Sequence, residues 1–197
     1  MSRGLGDVYK RQITENWLEE MLQLCQQKDV GMAGAKLYYP DDTIQHAGVV
    51  VGLGGVAAHV LCKLPRDAEG YMGRLRCVQE ISAVTAACMM VKTSVFKAVG
   101  GFDEELKVAF NDIDLCMKVR KYGVKIVFTP YAELYHYESK SRGMEDTPEK
   151  QLRFSREVNC FRRKWERELL KGDPYYNPNL TLNNTDCSLR KQEKNGD

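Results

Sequence analysis

The sequence predicts an α/β fold, a sheet carrying helices on its faces. Three observations support this. Segments with helical apolar spacing alternate with short apolar, strand-like runs. Glycines and prolines fall at the joins between them. The 197 residues are 43% hydrophobic and 28% charged, a globular balance for one domain of this length.

Residues 1–12 have neither helix nor strand periodicity, lack the apolar core of a signal peptide and resemble translated adaptor sequence. They are set apart as a foreign segment. Thr14 is expected to cap a helix reaching about Gln27, with Trp17, Leu18, Met21, Leu22 and Cys25 on one face. Residues 30–39 read as a strand, with Gly31 and Gly34 permitting close backbone approach. After the turn at Pro40, residues 44–53 make a second strand, and 54–78 read as loop.

Residues 80–91 read as one buried strand, and a short helix from Thr93 or Ser94 ends at Gly100 and Gly101. The next helix is well marked. Asn111 is a good N-cap, Asp112 and Asp114 load the first turn with negative charge, and Gly123 sits where a helix closes. A short strand over 124–128 stops at Pro130, and a weaker one covers 132–136. Pro148 opens a long amphipathic helix, the 146–172 segment, with Phe154, Val158, Phe161, Trp165 and Leu169 as its apolar stripe. Residues 173–197, rich in Pro, Asn and Tyr before turning polar, read as an extended tail, disordered at its end.

Composition excludes several function classes. With 29 Lys+Arg against 27 Asp+Glu the net charge is +2, so no global nucleic-acid surface is indicated. The most apolar stretch, 81–91, contains Ser82 and Thr85 and stops at Lys92, short of the roughly 20 apolar residues that span a bilayer. The seven cysteines are dispersed, with no C-x-x-C, and read as core residues in a reducing, cytoplasmic setting. P-loop, dinucleotide and serine-hydrolase motifs are absent.

The densest chemical constellation is Phe110-Asn111-Asp112-Ile113-Asp114. A carboxylate at a helix start meets the positive dipole end and amide donors, which suits Asp112 to accept a proton from an attacking hydroxyl. The plainer alternative is a capping arrangement with no chemistry. His136 stands either as a satisfied core histidine or as a divalent-metal ligand. His46 and His59 have no carboxylate at motif spacing and read as structural. Arg142 can bind phosphate or be a solvated loop residue. The basic face of the long helix (Arg153, Arg156, Arg162, Arg163, Lys164 and Arg167) is a solvated face or a peripheral membrane-docking surface.

Several motifs together resemble family 2 glycosyltransferases of the GT-A fold. These are G-M-A-G-A-K-L at 31–37, I-Q-H-A-G-V-V at 44–50, T-A-A-C-M-M-V at 85–91, V-G-G-F-D-E-E-L at 99–106 and N-D-I-D-L-C-M-K-V at 111–119. The strand at 125–128, Pro130 and His136 continue the order, and D-P-Y-Y-N-P-N-L at 173–180 resembles the tail of bacterial polysaccharide and rhamnosyl-type members. The resemblance covers roughly 13–190. It implies a partial GT-A fold, a mixed sheet flanked by helices, with 13–145 as its acceptor-side part.

What the resemblance implies chemically is transfer of a sugar from a nucleotide-sugar donor to a glycan or lipid-linked acceptor hydroxyl, with inversion. Asp112 matches the general base, and His136 a ligand of a divalent metal, Mg2+ or Mn2+. Asn111, Asp114, Thr85 and Arg142 are assigned to substrate binding. Asn111 stands where the family has Glu, and the Asp-x-Asp half expected before Thr14 is not in this sequence. The chain is therefore expected to be a fragment, inactive or weak alone, working in the cytoplasm or at the inner membrane face. Two other classes remain open: a non-catalytic sugar- or partner-binding domain, and a metal-dependent hydrolase built on Asp112, Asp114 and His136.

Overall fold

The computed structural model describes residues 10–12, 14–137 and 147–191. Along the chain come β1 (Lys10–Gln12), α1 (Trp17–Gln26), β2 (Val30–Tyr38), β3 (Ile44–His46), β4 (Val49–Val51), β5 (Ala57–His59) and β6 (Gln79–Glu80). After them follow β7 (Met89–Val91), α2 (Thr93–Ala98), α3 (Asn111–Lys121), β8 (Lys125–His136), α4 (Pro148–Lys164) and α5 (Glu166–Lys171).

β2 and β8 form the centre of a mixed sheet and pair in parallel along most of their length. β7 and β3 flank β2, whereas β6 and β1 flank β8, all antiparallel. One core lies under α1, where Met21, Leu24 and Cys25 meet Ala33, Ala35, Leu37 and Leu134. The other, larger core holds Met32, Phe128, Val84, Leu115, Val119, Phe161 and Trp165. The mixed sheet flanked by helices is the predicted architecture.

Several local expectations change. Thr14 does not cap α1; Asn16 precedes the helix, and the Thr14 hydroxyl accepts the Glu133 N–H at 2.7 Å, fastening the chain to β8. The strand expected over 44–53 breaks at Gly48, φ 105°, into β3 and β4, which join different sheets. β4 pairs with β5, inside the stretch read as loop. The strand expected over 80–91 survives only as β6 and β7. Between them the Thr85 hydroxyl accepts the Ala87 N–H at 3.2 Å and caps a single 3-10 turn, an ordinary use of threonine that competes with a ladder.

β8 runs through Pro130 without stopping. Its register against β2 jumps from Thr129 opposite Ala35 to Glu133 opposite Lys36, so Pro130 lies in an irregularity where no ladder donor is needed. The long helix divides at Trp165 (φ -114°, ψ 23°) into α4 and α5, with Thr147 as cap. The tail over residues 173–191 is irregular yet packed: Tyr176, Leu180 and Cys187 are buried, and Asp173 Oδ2 accepts the Val51 N–H at 2.8 Å, while the end expected to be disordered lies outside the described residues. Among the described residues no helix is long and apolar enough to cross a membrane.

Candidate active site

The site is built where α3 starts against the turn capped by Thr85. Phe110, which precedes α3, takes the left-handed conformation at φ 62° and ψ 5°, and its carbonyl accepts the Asp114 N–H at 2.8 Å. That backbone costs a non-glycine residue about 1–2 kcal/mol. The cost is carried by packing, since the Phe110 ring lies 5.3 Å from Phe161 and 5.8 Å from Phe154. Phe110 thus takes the capping position expected of Asn111, which is the first residue of α3.

Asp112 is half-buried, with Oδ2 accepting the Ala86 N–H at 3.0 Å and Oδ1 accepting its neighbour Ile113 N–H at 2.9 Å. The carboxylate is therefore aimed at the 85–88 turn and not buried under packing. Thr85 and Ala87 of that turn line a cavity of about 260 Å³ together with Tyr39, Gln45, His59, Cys62 and His136. Asp112 and His136, 24 residues apart in sequence, border the same short turn.

His136 Nδ1 lies 2.8 Å from Gln45 Oε1, and Gln45 Nε2 donates to the His136 carbonyl at 3.3 Å. Gln45 orients the imidazole as a second-layer partner orients a metal-binding histidine. A cation would be taken through Nε2. Among the described residues no group of three or more His, Cys, Asp or Glu could hold a metal. Among the described residues, His136 is an oriented imidazole at this cavity without a complete metal centre around it.

Sequence reasoning missed His46 and His59, which meet at the wall of this cavity, His59 lining it and His46 buried beside it. Their Nδ1 atoms lie 3.2 Å apart, with the rings edge to face. His46 is fully buried, and Thr85 directs its backbone N–H to His46 Nε2 at 3.4 Å. Burial first, then His59 and His136, holds the His46 imidazole well below the usual histidine range. The Cys62 thiol donates to the Gln45 carbonyl at 3.1 Å. All three histidines lie at strand ends, of β3, β5 and β8, but β5 falls in the stretch read as loop, so no sequence signal marked the cluster.

Asp114 does not reach the cavity. It is 0% exposed, with Oδ1 accepting the Trp165 indole N–H at 2.8 Å and standing 2.7 Å from Lys164 Nζ, while Oδ2 is 2.9 Å from Lys118 Nζ. This corrects its assignment to substrate binding and removes it from a metal-hydrolase trio. Arg142 lies outside the described residues. The basic face of the long helix is partly spent inside the molecule: Lys164 pairs with Asp103 and Asp114, and Arg162 Nε donates to the Gly55 carbonyl at 3.1 Å.

A larger cavity, about 960 Å³, opens away from these residues beside Lys36, Arg66 and Glu133. Its charges answer one another: Arg66 Nη2 is 2.9 Å from Glu133 Oε2, and the Tyr38 hydroxyl donates to Glu133. None of the residues singled out for chemistry lines it.

Comparison with known proteins agrees with the fold. The profile of the family described as "Glycosyltransferase like family 2" matches residues 13–157. The chain is 57% identical over 178 residues, 90% of its length, to an uncharacterized protein, y4gI, of Sinorhizobium fredii, and covers 20% of that protein. It is 38% identical over 186 residues, 94% of its length, to the O-antigen biosynthesis protein RfbC of Myxococcus xanthus, and covers 14% of it. Over 62 residues, 32% of the chain and 20% of the relative, it is 36% identical to an N-acetylglucosaminyl-diphospho-decaprenol L-rhamnosyltransferase of Mycobacterium tuberculosis. The chain spans a fifth or less of the length of these relatives.

Proposed function

Because the chain belongs to glycosyltransferase family 2, we propose that it carries the acceptor side of a sugar-transfer site used in bacterial cell-surface polysaccharide synthesis. The donor is a nucleotide sugar and the acceptor a hydroxyl of a glycan or lipid-linked glycan. Asp112 is the general base. It takes the acceptor hydroxyl proton as that oxygen attacks the anomeric carbon, and the nucleoside diphosphate leaves with the bonding electron pair, which inverts the anomeric centre.

The observation that carries this reading is the Asp112 carboxylate, fixed by the Ala86 N–H beside the cavity that Thr85 and His136 line. Two amide donors, from Ala86 and Ile113, hold the carboxylate in one direction, so a hydroxyl that reaches its open side meets a positioned base. Thr85 and Asn111 border the acceptor. His136 would be one ligand of a divalent cation, Mg2+ or Mn2+, which when bound would supply positive charge to stabilise a departing diphosphate. Arg142 is assigned to the same phosphates by its chemistry. The site works at the cytoplasmic membrane face, where lipid-linked acceptors are presented.

The test is the stereochemistry of transfer by the intact protein. An α-linked nucleotide sugar should give a β-linked product, read by the anomeric proton coupling. Retention would contradict single displacement on Asp112. Sugar binding without any transfer would favour a non-catalytic recognition domain.

A further inference from the structure

Residues 99–110 connect the end of α2 to the start of α3, and in them Lys107, Val108 and Ala109 direct three consecutive backbone N–H groups at one carboxylate. Glu157 of α4 receives them: Oε1 accepts from Lys107 at 3.1 Å and Val108 at 3.2 Å, and Oε2 accepts from Ala109 at 2.8 Å. Glu157 is 3% exposed, and Arg153 Nε stands 4.0 Å from Oε1.

We propose that Glu157 is a positioning residue for Asp112: it fixes, through these three amides, the turn that holds the base against the Ala86 N–H. The inference rests on the reading of Asp112 as the base. Only Phe110 and Asn111 separate the last amide from Asp112. Phe110 is held in its left-handed conformation by the rings of Phe154 and Phe161, which flank Glu157 on the same helix. α4 therefore grips the entry to α3 twice, once by directional hydrogen bonds and once by ring packing.

An apolar side chain at position 157 would fill the same space, as Phe161 does one turn on. It would leave three inward amides unsatisfied, and it would not set their direction, because apolar packing is non-directional whereas hydrogen bonds prefer near-linear geometry. The buried carboxylate thus orients the segment as well as filling space. A base displaced by about 1 Å loses on the order of 10²-fold in rate.

The experiment is a double-mutant cycle on sugar transfer by the intact protein, with Glu157→Gln, Asp112→Asn and both together. Gln keeps the shape but replaces one acceptor oxygen by a donor that faces the amides. Glu157→Gln alone should lower kcat roughly 10- to 100-fold and leave the donor KM within about 2-fold. In the Asp112→Asn background the same change should cost less than about 2-fold, because Glu157 acts through the base. An equal loss in both backgrounds, or no loss in the first, overturns the inference. Glu157→Asp, carried through the same cycle, gives the same decision should Gln fail to fold. A wild-type level of transfer in Asp112→Asn, or none in the unmutated protein, instead removes the functional reading beneath it.

Discussion

Trp165 donates its indole N–H to Oδ1 of Asp114 at 2.8 Å, tying the junction of α4 and α5 to the first turn of α3. Lys164 and Lys118 complete the charge around that fully buried carboxylate. The helix that holds Asp112 against the Ala86 turn is thus anchored by the opposite side of its own first turn.

Removing this anchor should be costly. Asp114→Ala leaves the Trp165 N–H and two lysines without their carboxylate, and breaking a buried pair typically costs about 3–5 kcal/mol. Urea unfolding of the purified protein should show a loss of that size. A loss under about 1 kcal/mol would mean the network is solvated in solution.

Gly34 lies where β2 passes the segment leading to Thr85. A Cβ there would sit 2.3 Å from Val84 Cγ1 and 2.6 Å from Val84 Cβ. Gly34→Ala should therefore push Val84 and the adjoining Thr85 turn, at about 1–3 kcal/mol, the usual cost of overpacking. Thermal melts should show the drop, and a paired Val84→Ala should recover part of it.

Stability should depend on pH through His46. Its folded pKa is lowered by burial and by His59 and His136, so below about pH 6.5 the unfolded chain takes up a proton that the native state refuses. That contribution is fully present above pH 6.5 and is lost as pH falls, with a slope of up to about 1.4 kcal/mol per pH unit. His59 and His136 face His46 in the unmutated protein and in His46→Asn alike, so the difference between their urea-unfolding profiles from pH 8 to 5 isolates His46. Parallel profiles would contradict the assignment.

If His136 is a metal ligand, His136→Ala should weaken Mn2+-dependent donor binding by about 10-fold or more while leaving metal-free binding unchanged. Calorimetry with the nucleotide sugar, with and without Mn2+, separates the two. An unchanged metal requirement removes the ligand role.

The sequence made legible whatever local chemistry decides. The carboxylates of α3 and the glycine after it marked that helix within a residue, and the alternation of elements marked a sheet with helices on its faces. Pro130 misled because a proline reads as a strand end, whereas the register jump between β2 and β8 gives it a place inside one. Asp112 and His136 were legible as candidates, but not the cluster around His136. Gln45, His59 and Cys62 come together through two hairpins, with no fixed spacing to betray them. Asp114 and Glu157 were opaque for a related reason. Their hydrogen-bond donors from other elements lie 48 to 51 residues away, and for Glu157 these are backbone amides that leave no residue signature.

The central claim is that Asp112 removes the acceptor proton, and Asp112→Asn tests it most directly. Asn has nearly the same shape but cannot take a proton at neutral pH. In the intact protein, nucleotide-sugar binding should persist while transfer falls by about 10²–10⁴-fold, the range expected for a lost general base. Transfer at the unmutated rate would contradict the account.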